Sequence, residues 1–168
     1  MNEILEAESQ QLVVLNGDLI TGENTYLFNS TDYVDKIVGP LVNRSLTWAS
    51  TYGNHDSQFN LSREHILARE QTYLNARTRQ MVFGPNAGVS NYYLPVYPSS
   101  GDSSPCLILW FFDSRGGNYY QQLDSSGNPV PQPDWVDQSV VDWFYQTNKQ
   151  LTFTHRKVTP SQIGRAHV

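Results

Sequence analysis

The spacing of apolar residues changes several times along the chain, and each change marks an element. Leu12-Val13-Val14-Leu15 is an unbroken apolar run of the kind that forms a strand buried on both faces. It is preceded by helix formers from Glu3 to Gln10 and ends at Asn16-Gly17-Asp18. From Asp32 onward, Val34, Ile37, Val38, Leu41 and Val42 recur at helical spacing, and Gly39-Pro40 is expected to kink or divide that helix. Leu46 to Tyr52 again suits a strand. Strand, helix and strand make a crossover unit. The separation of about 35 residues between Asp18 and Asn54 is close to what a right-handed parallel return needs. Both loops should then open on one edge, beyond the C-terminal ends of the strands, where open parallel sheets carry ligand sites. Asp18 is therefore expected beside Asn54.

Further along, Ser62 is a plausible helix cap with Glu64 in the first turn, and Ile66, Leu67, Tyr73 and Leu74 give that helix its apolar side. His65 falls in the first turn or on the surface. Between Met81 and Phe112, Gly, Pro and Ser punctuate two aromatic and β-branched runs, Asn91–Tyr97 and Leu107–Phe112, which are predicted as paired strands. The second run ends at Asp113-Ser114-Arg115-Gly116-Gly117, where Asp113 and Arg115 read as loop hydrogen-bonding residues rather than substrate contacts. After the Pro/Gly-rich loop from Ser125 to Pro133, Asp134 is placed to cap a helix burying Val136, Val140, Val141 and Phe144. Leu151-Thr152-Phe153-Thr154-His155 alternates like a short strand that ends in an imidazole. No internal repeat or low-complexity segment interrupts this order.

A length of 168 residues suits a single domain with its own core. The net charge of −5 and the pI near 5.2 argue against a sequence-independent grip on nucleic acid, which needs a Lys/Arg surface. Small phosphorylated substrates stay open if a metal supplies the positive charge. The single cysteine, Cys106, has no internal partner and is expected as a buried structural thiol in the run that continues to Phe112. No stretch is long and apolar enough to span a bilayer, so no membrane is expected as a partner. The acidic start, Met1-Asn2-Glu3, does not read as a signal peptide. Asn-x-Ser/Thr acceptors at Asn29, Asn43 and Asn60 fit a secretory route or chance, which leaves the compartment open between cytoplasmic and secretory or vacuolar.

Candidate chemistry concentrates in Gly53-Asn54-His55-Asp56, where an amide, an imidazole and a carboxylate follow one another directly after a strand. Read alone, this is either a metal and proton-transfer site or an ordinary polar turn. Together with Gly17-Asp18 after the preceding strand and a late His155, it resembles the calcineurin-like metallophosphoesterases, the superfamily that includes the purple acid phosphatases. The longer segments Gly17-Asp18-Leu19-Ile20-Thr21-Gly22-Glu23-Asn24, Trp48–Asp56, Phe111-Phe112-Asp113-Ser114 and Gln138–Phe144 resemble its fungal and plant purple-acid-phosphatase-like group.

The resemblance implies an α/β core belonging to a four-layer αββα sandwich with mixed sheets. It also implies two divalent or trivalent metal ions (Fe, Mn or Zn) and hydrolysis of phosphate esters. In that scheme Asp18 bridges the ions, while Asn54 and His155 are ligands of the second. His55 contacts the phosphate and stabilises or protonates the leaving oxygen, and Asp56 orients it. A shared metal-bound hydroxide attacks phosphorus in line. The expected substrate is a phosphorylated small molecule or phosphoprotein, nucleic acid being disfavoured by charge.

The chain also departs from the family's pattern. No Asp-x-His precedes Asp18, and Gly164-Arg165-Ala166-His167 is not the closing Gly-His-x-His. The expectation is an incomplete phosphoesterase domain over residues 1–158, lacking its first strand and C-terminal part, followed by a non-native or frame-diverged tail at 159–168. Weak or absent activity follows from that reading. The alternatives are a phosphodiesterase of the same superfamily and a non-catalytic domain that keeps the fold.

Overall fold

Two parallel strands, β1 (Leu12–Asn16) and β2 (Thr47–Thr51), pair in register from Leu12 opposite Thr47 to Asn16 opposite Thr51 in a computed structural model that describes residues 1–154 and 159–162. The connection between them runs through a 3-10 turn at Gly22–Asn24 and the helix α2 (Asp32–Val42). A preceding helix, α1 (Asn2–Ala7), is short and buries no residue. Because both strands run the same way and end level with each other, the loops that follow them, at residues 17–21 and 52–57, meet at one edge.

Alternation along these strands shows how the layers stack. Val13 and Leu15 of β1 and Trp48 of β2 face a core shared with Val34, Val38 and Leu41 of α2 and with Ile66 and Leu67 of α3 (Arg63–Glu70). Leu12, Val14 and Ala49 point the other way, toward Tyr92, Leu109 and Phe111. Those residues belong to the antiparallel pair β3 (Tyr92–Val96) and β4 (Leu107–Phe111). The opposite face of β4 carries Trp110, whose ring lies 5.5 Å from that of Trp143 and 4.7 Å from that of Phe144 on the helix α4 (Gln138–Thr154). Helices, sheet, sheet and helix therefore stack in the order expected of an αββα sandwich. The two sheets are tied by the Tyr92 hydroxyl, which donates to the Ser50 carbonyl at 2.8 Å.

A hairpin of β5 (Asn118–Leu123) and β6 (Pro129–Pro131) covers the turn after β2. The strand β7 (Thr159–Gln162) runs parallel to β4 on the edge away from β3. Residues 159–162, the described part of the expected tail, pair with β4 in the second sheet.

Several local expectations are revised. The run Leu12–Val14 is only half-buried, because among the described residues β1 pairs on one edge alone. Pro40 lies inside α2 without dividing it: it stands in the last turn, where a missing N–H costs one bond and the helix ends two residues later. The third helix stops at Glu70, which leaves Leu74 exposed. Asp137, not Asp134, caps α4, its side chain accepting the Ser139 amide at 3.0 Å. Leu151–Thr154 is the last turn of α4 rather than a strand. A five-residue alternation cannot outweigh a helix already nucleated and docked through Trp143 and Phe144. Cys106 is exposed, not buried, because it precedes the first inward-facing position of β4.

Candidate metal and phosphate site

Three cross-loop contacts join the loop after β1 to the loop after β2. The Ile20 amide donates to Asp56 Oδ1 at 2.9 Å, the Gly22 amide to the His55 carbonyl at 3.1 Å, and the His55 amide to Asp18 Oδ1 at 3.1 Å. Asp18 has a left-handed backbone with φ 49°, a conformation that Asp adopts more readily than most residues. Its side chain is thereby turned back across the neighbouring strand end. The carboxylate lies directly over Gly53, where a Cβ would come within 2.1 Å of Asp18 Oδ1. Only glycine leaves room for it.

Asn54 follows immediately and is half-buried; among the described residues its side-chain amide makes no hydrogen bond. Asp18 and Asn54 thus stand at the ends of adjacent strands, as the crossover argument requires. His155, the third expected ligand, lies outside the described residues.

The imidazole of His55 is half-exposed, and its Nδ1 lies 3.3 Å from Glu23 Oε1 without the geometry of a hydrogen bond. Asp56 is fully buried and has another task. Its Oδ1 holds the Ile20 amide and its Oδ2 holds the Gly53 amide at 2.8 Å, so it fastens the two loops together. The expectation that Asp56 orients His55 is replaced by this arrangement, in which the carboxylate facing the imidazole is that of Glu23. Burial pushes the Asp56 carboxyl up to about 6, against the lowering pull of the Gly53 and Ile20 amides and of the nearby Arg63 charge.

Sequence reasoning also passed over Arg63. An arginine in the first turn after a helix cap reads as a surface charge, yet this one is buried. Its Nη2 donates to the carbonyls of Gly53 at 2.7 Å, Arg115 at 2.5 Å and Gly116 at 3.1 Å. Its Nε lies 3.6 Å from Asp113 Oδ1. Asp113 is buried too, and accepts the Val89 and Arg115 amides at 2.7 Å each. Asp113 and Arg115 are loop-bracing residues, as their place in a polar turn suggests. Gly117, with φ 71°, packs its α-carbon against the Asn54 and Ser57 carbonyls, where a Cβ would sit 2.2 and 2.3 Å away.

The donor chemistry suits a hard or borderline cation, since Asp18 keeps an oxygen outside its bond to His55 and Asn54 offers an amide oxygen. Among the described residues the donor number falls short. Two oxygens do not close even a four-coordinate site, and among the described residues no group of three His, Cys, Asp or Glu side chains could hold a metal ion.

The sequence model of the calcineurin-like phosphoesterases matches residues 1–166. Among curated proteins, the phosphatase DCR2 of Saccharomyces cerevisiae is 28% identical over 86% of this chain and 24% of its own length. Two Arabidopsis thaliana proteins described as probable inactive purple acid phosphatases, 28 and 29, are 23% and 26% identical over 100% and 99% of this chain. The match takes in 43% and 42% of their lengths. The chain therefore spans between about a quarter and under half of the relatives it matches. No solved structure matches significantly.

Proposed function

The chain belongs to the calcineurin-like phosphoesterase family, and on that premise we propose that it supplies part of the phosphate-ester site of a metal-dependent phosphatase. The observation that carries the proposal is the meeting of Asp18 with the Gly53-Asn54-His55 turn, in which the carboxylate is held over a glycine by the His55 amide. Asp18 is the residue that would bridge two ions, and Asn54 the oxygen ligand of one of them. His155 is proposed for that same ion. Such ions, when bound, would activate a water and offset charge on the phosphoryl oxygens.

The chain's own side chains do the rest. His55, half-exposed beside the turn with Glu23 Oε1 3.3 Å from its Nδ1, is placed to face the departing ester oxygen as proton donor. Asp56 keeps both loops in place through the Ile20 and Gly53 amides. The proposed substrate is a phosphomonoester, carried on a small molecule or a protein.

A second reading is favoured by the short donor set among the described residues: a domain that keeps the fold without catalysis, or with little of it. Hydrolysis of p-nitrophenyl phosphate with added Mn, Fe or Zn separates the two, measured on this chain and on a full-length form. We expect turnover only in the full-length form, lost in Asp18→Asn. Full-length protein that neither turns over nor retains stoichiometric metal by elemental analysis would establish the non-catalytic reading. Faster hydrolysis of a diester than of a monoester would reassign the substrate class.

A further inference from the structure

We infer that Arg63 is a positioning residue for Asn54 and His55, acting through the peptide that links Gly53 to Asn54. The inference rests on the phosphoesterase reading for its consequence in catalysis, but not for its geometry. A buried guanidinium is costly unless its donors and its charge are both answered. Here the acceptors are carbonyls of two different loops, Gly53 after β2 and Arg115 and Gly116 after β4, with the Gln132 side-chain oxygen 3.4 Å from Nη1. Asp113, buried at 3.6 Å, supplies the opposite charge.

The Gly53 carbonyl belongs to the same peptide plane as the Asn54 amide. Its orientation, together with that of the Gly53 N–H held by Asp56, fixes how Asn54 leaves the strand. Residue 53 is thus gripped from both sides, by Asp56 on its N–H and by Arg63 on its carbonyl. The Nε of Arg63 has no hydrogen-bond partner, and the residue lines a polar cavity of about 290 Å³ together with Asp113, Gln80 and Gln132. A fold-stabilising arginine could have bonded any neighbouring carbonyls. This one bonds the carbonyl next to the candidate ligand and ties it to the loop whose Gly117 packs against the Asn54 backbone.

The test uses Arg63→Lys, which keeps the charge but not the fork of donors, and Arg63→Met, which removes the charge. In amide NMR spectra of this chain, the resonances of Asn54–Ser57 and Gly116–Asn118 should shift together. The Asn54 side-chain NH2 pair should move with them, less in the Lys variant than in the Met variant. In the full-length protein, Arg63→Lys should lower kcat by ~10–100-fold, the scale of a small misplacement of a reacting group, with KM changed less than about twofold. Shifts confined to α3, with Asn54 unmoved, would overturn the inference. So would a loss of kcat no greater than the unfolded fraction seen in a thermal melt. If the wild-type full-length protein shows no turnover, the phosphatase reading fails, and the Asn54 side-chain resonances alone decide the role of Arg63. If Arg63→Met does not fold, the Lys variant decides.

Discussion

Gly53 sits under the carboxylate of Asp18 so closely that a single methyl group would come within 2.1 Å of Asp18 Oδ1. Strand pairing in β1 and β2 brings the two residues level, and the left-handed backbone of Asp18 turns its side chain across. The site's shape is therefore set by what residue 53 lacks.

Gly53→Ala is expected to push Asp18 off the His55 amide and to strain the turn, at about 1–3 kcal/mol, the usual cost of overpacking. The chain should still fold, with a lowered Tm. In a metal-loaded full-length form, metal content should fall with it. An unchanged Tm together with unchanged metal content would show that the loop yields freely.

Glu70 is buried beneath β2, where its Oε2 accepts the hydroxyls of Thr78 at 2.6 Å and Ser50 at 3.1 Å, while its Oε1 has no partner. Burial raises its carboxyl above the usual carboxylate range, outweighing the hydroxyls of Thr78 and Ser50. A raised carboxylate means that the folded state holds its proton to higher pH than the unfolded state does. Stability from this group is then present below the ordinary carboxylate pKa and is lost as pH rises through the folded value. Glu70→Gln should raise Tm at pH 7 by a few degrees, where ~1 kcal/mol corresponds to about 2–4 °C, and change little at pH 4. Melts at the two pH values check the sign, and a lower Tm at pH 7 would contradict it.

Trp110 stands between β4 and α4, with ring contacts to Tyr93, Phe112, Trp143 and Phe144. Trp110→Ala should cost about 3–5 kcal/mol. It should also release α4 before the rest, visible as faster amide exchange in 138–152 than in β2 at low denaturant. Equal exchange rates in both would show that the fourth layer is not separately held.

Cys106 is exposed, its thiol 3.4 Å from the Val96 carbonyl. A thiol reagent such as Ellman's should titrate one equivalent in native buffer, at a rate little changed by denaturant. Reaction only after unfolding would restore the buried thiol.

Much of this arrangement was legible in the residues themselves. Two apolar runs bracketing a helical period, each followed by a short polar turn, suffice to specify a parallel crossover with Asp18 and Asn54 on one edge. Backbone chemistry admits few other solutions. Ser62 as a cap and the pairing of Asn91–Tyr97 with Leu107–Phe112 follow from local signals as well.

What the tertiary structure alone decided is which partner each charged group takes, because such contacts join residues distant in sequence and leave no periodic trace. Asp56 follows His55 directly, yet its oxygens go to the Ile20 and Gly53 amides, and Glu23 faces the imidazole instead. Arg63 looks like a solvent-facing helix residue until the loop after β4 folds over it. Propensity and alternation reach as far as the strand and its turn. The bonds that aim the turn arise only when separate loops are packed together and every buried donor must find an acceptor.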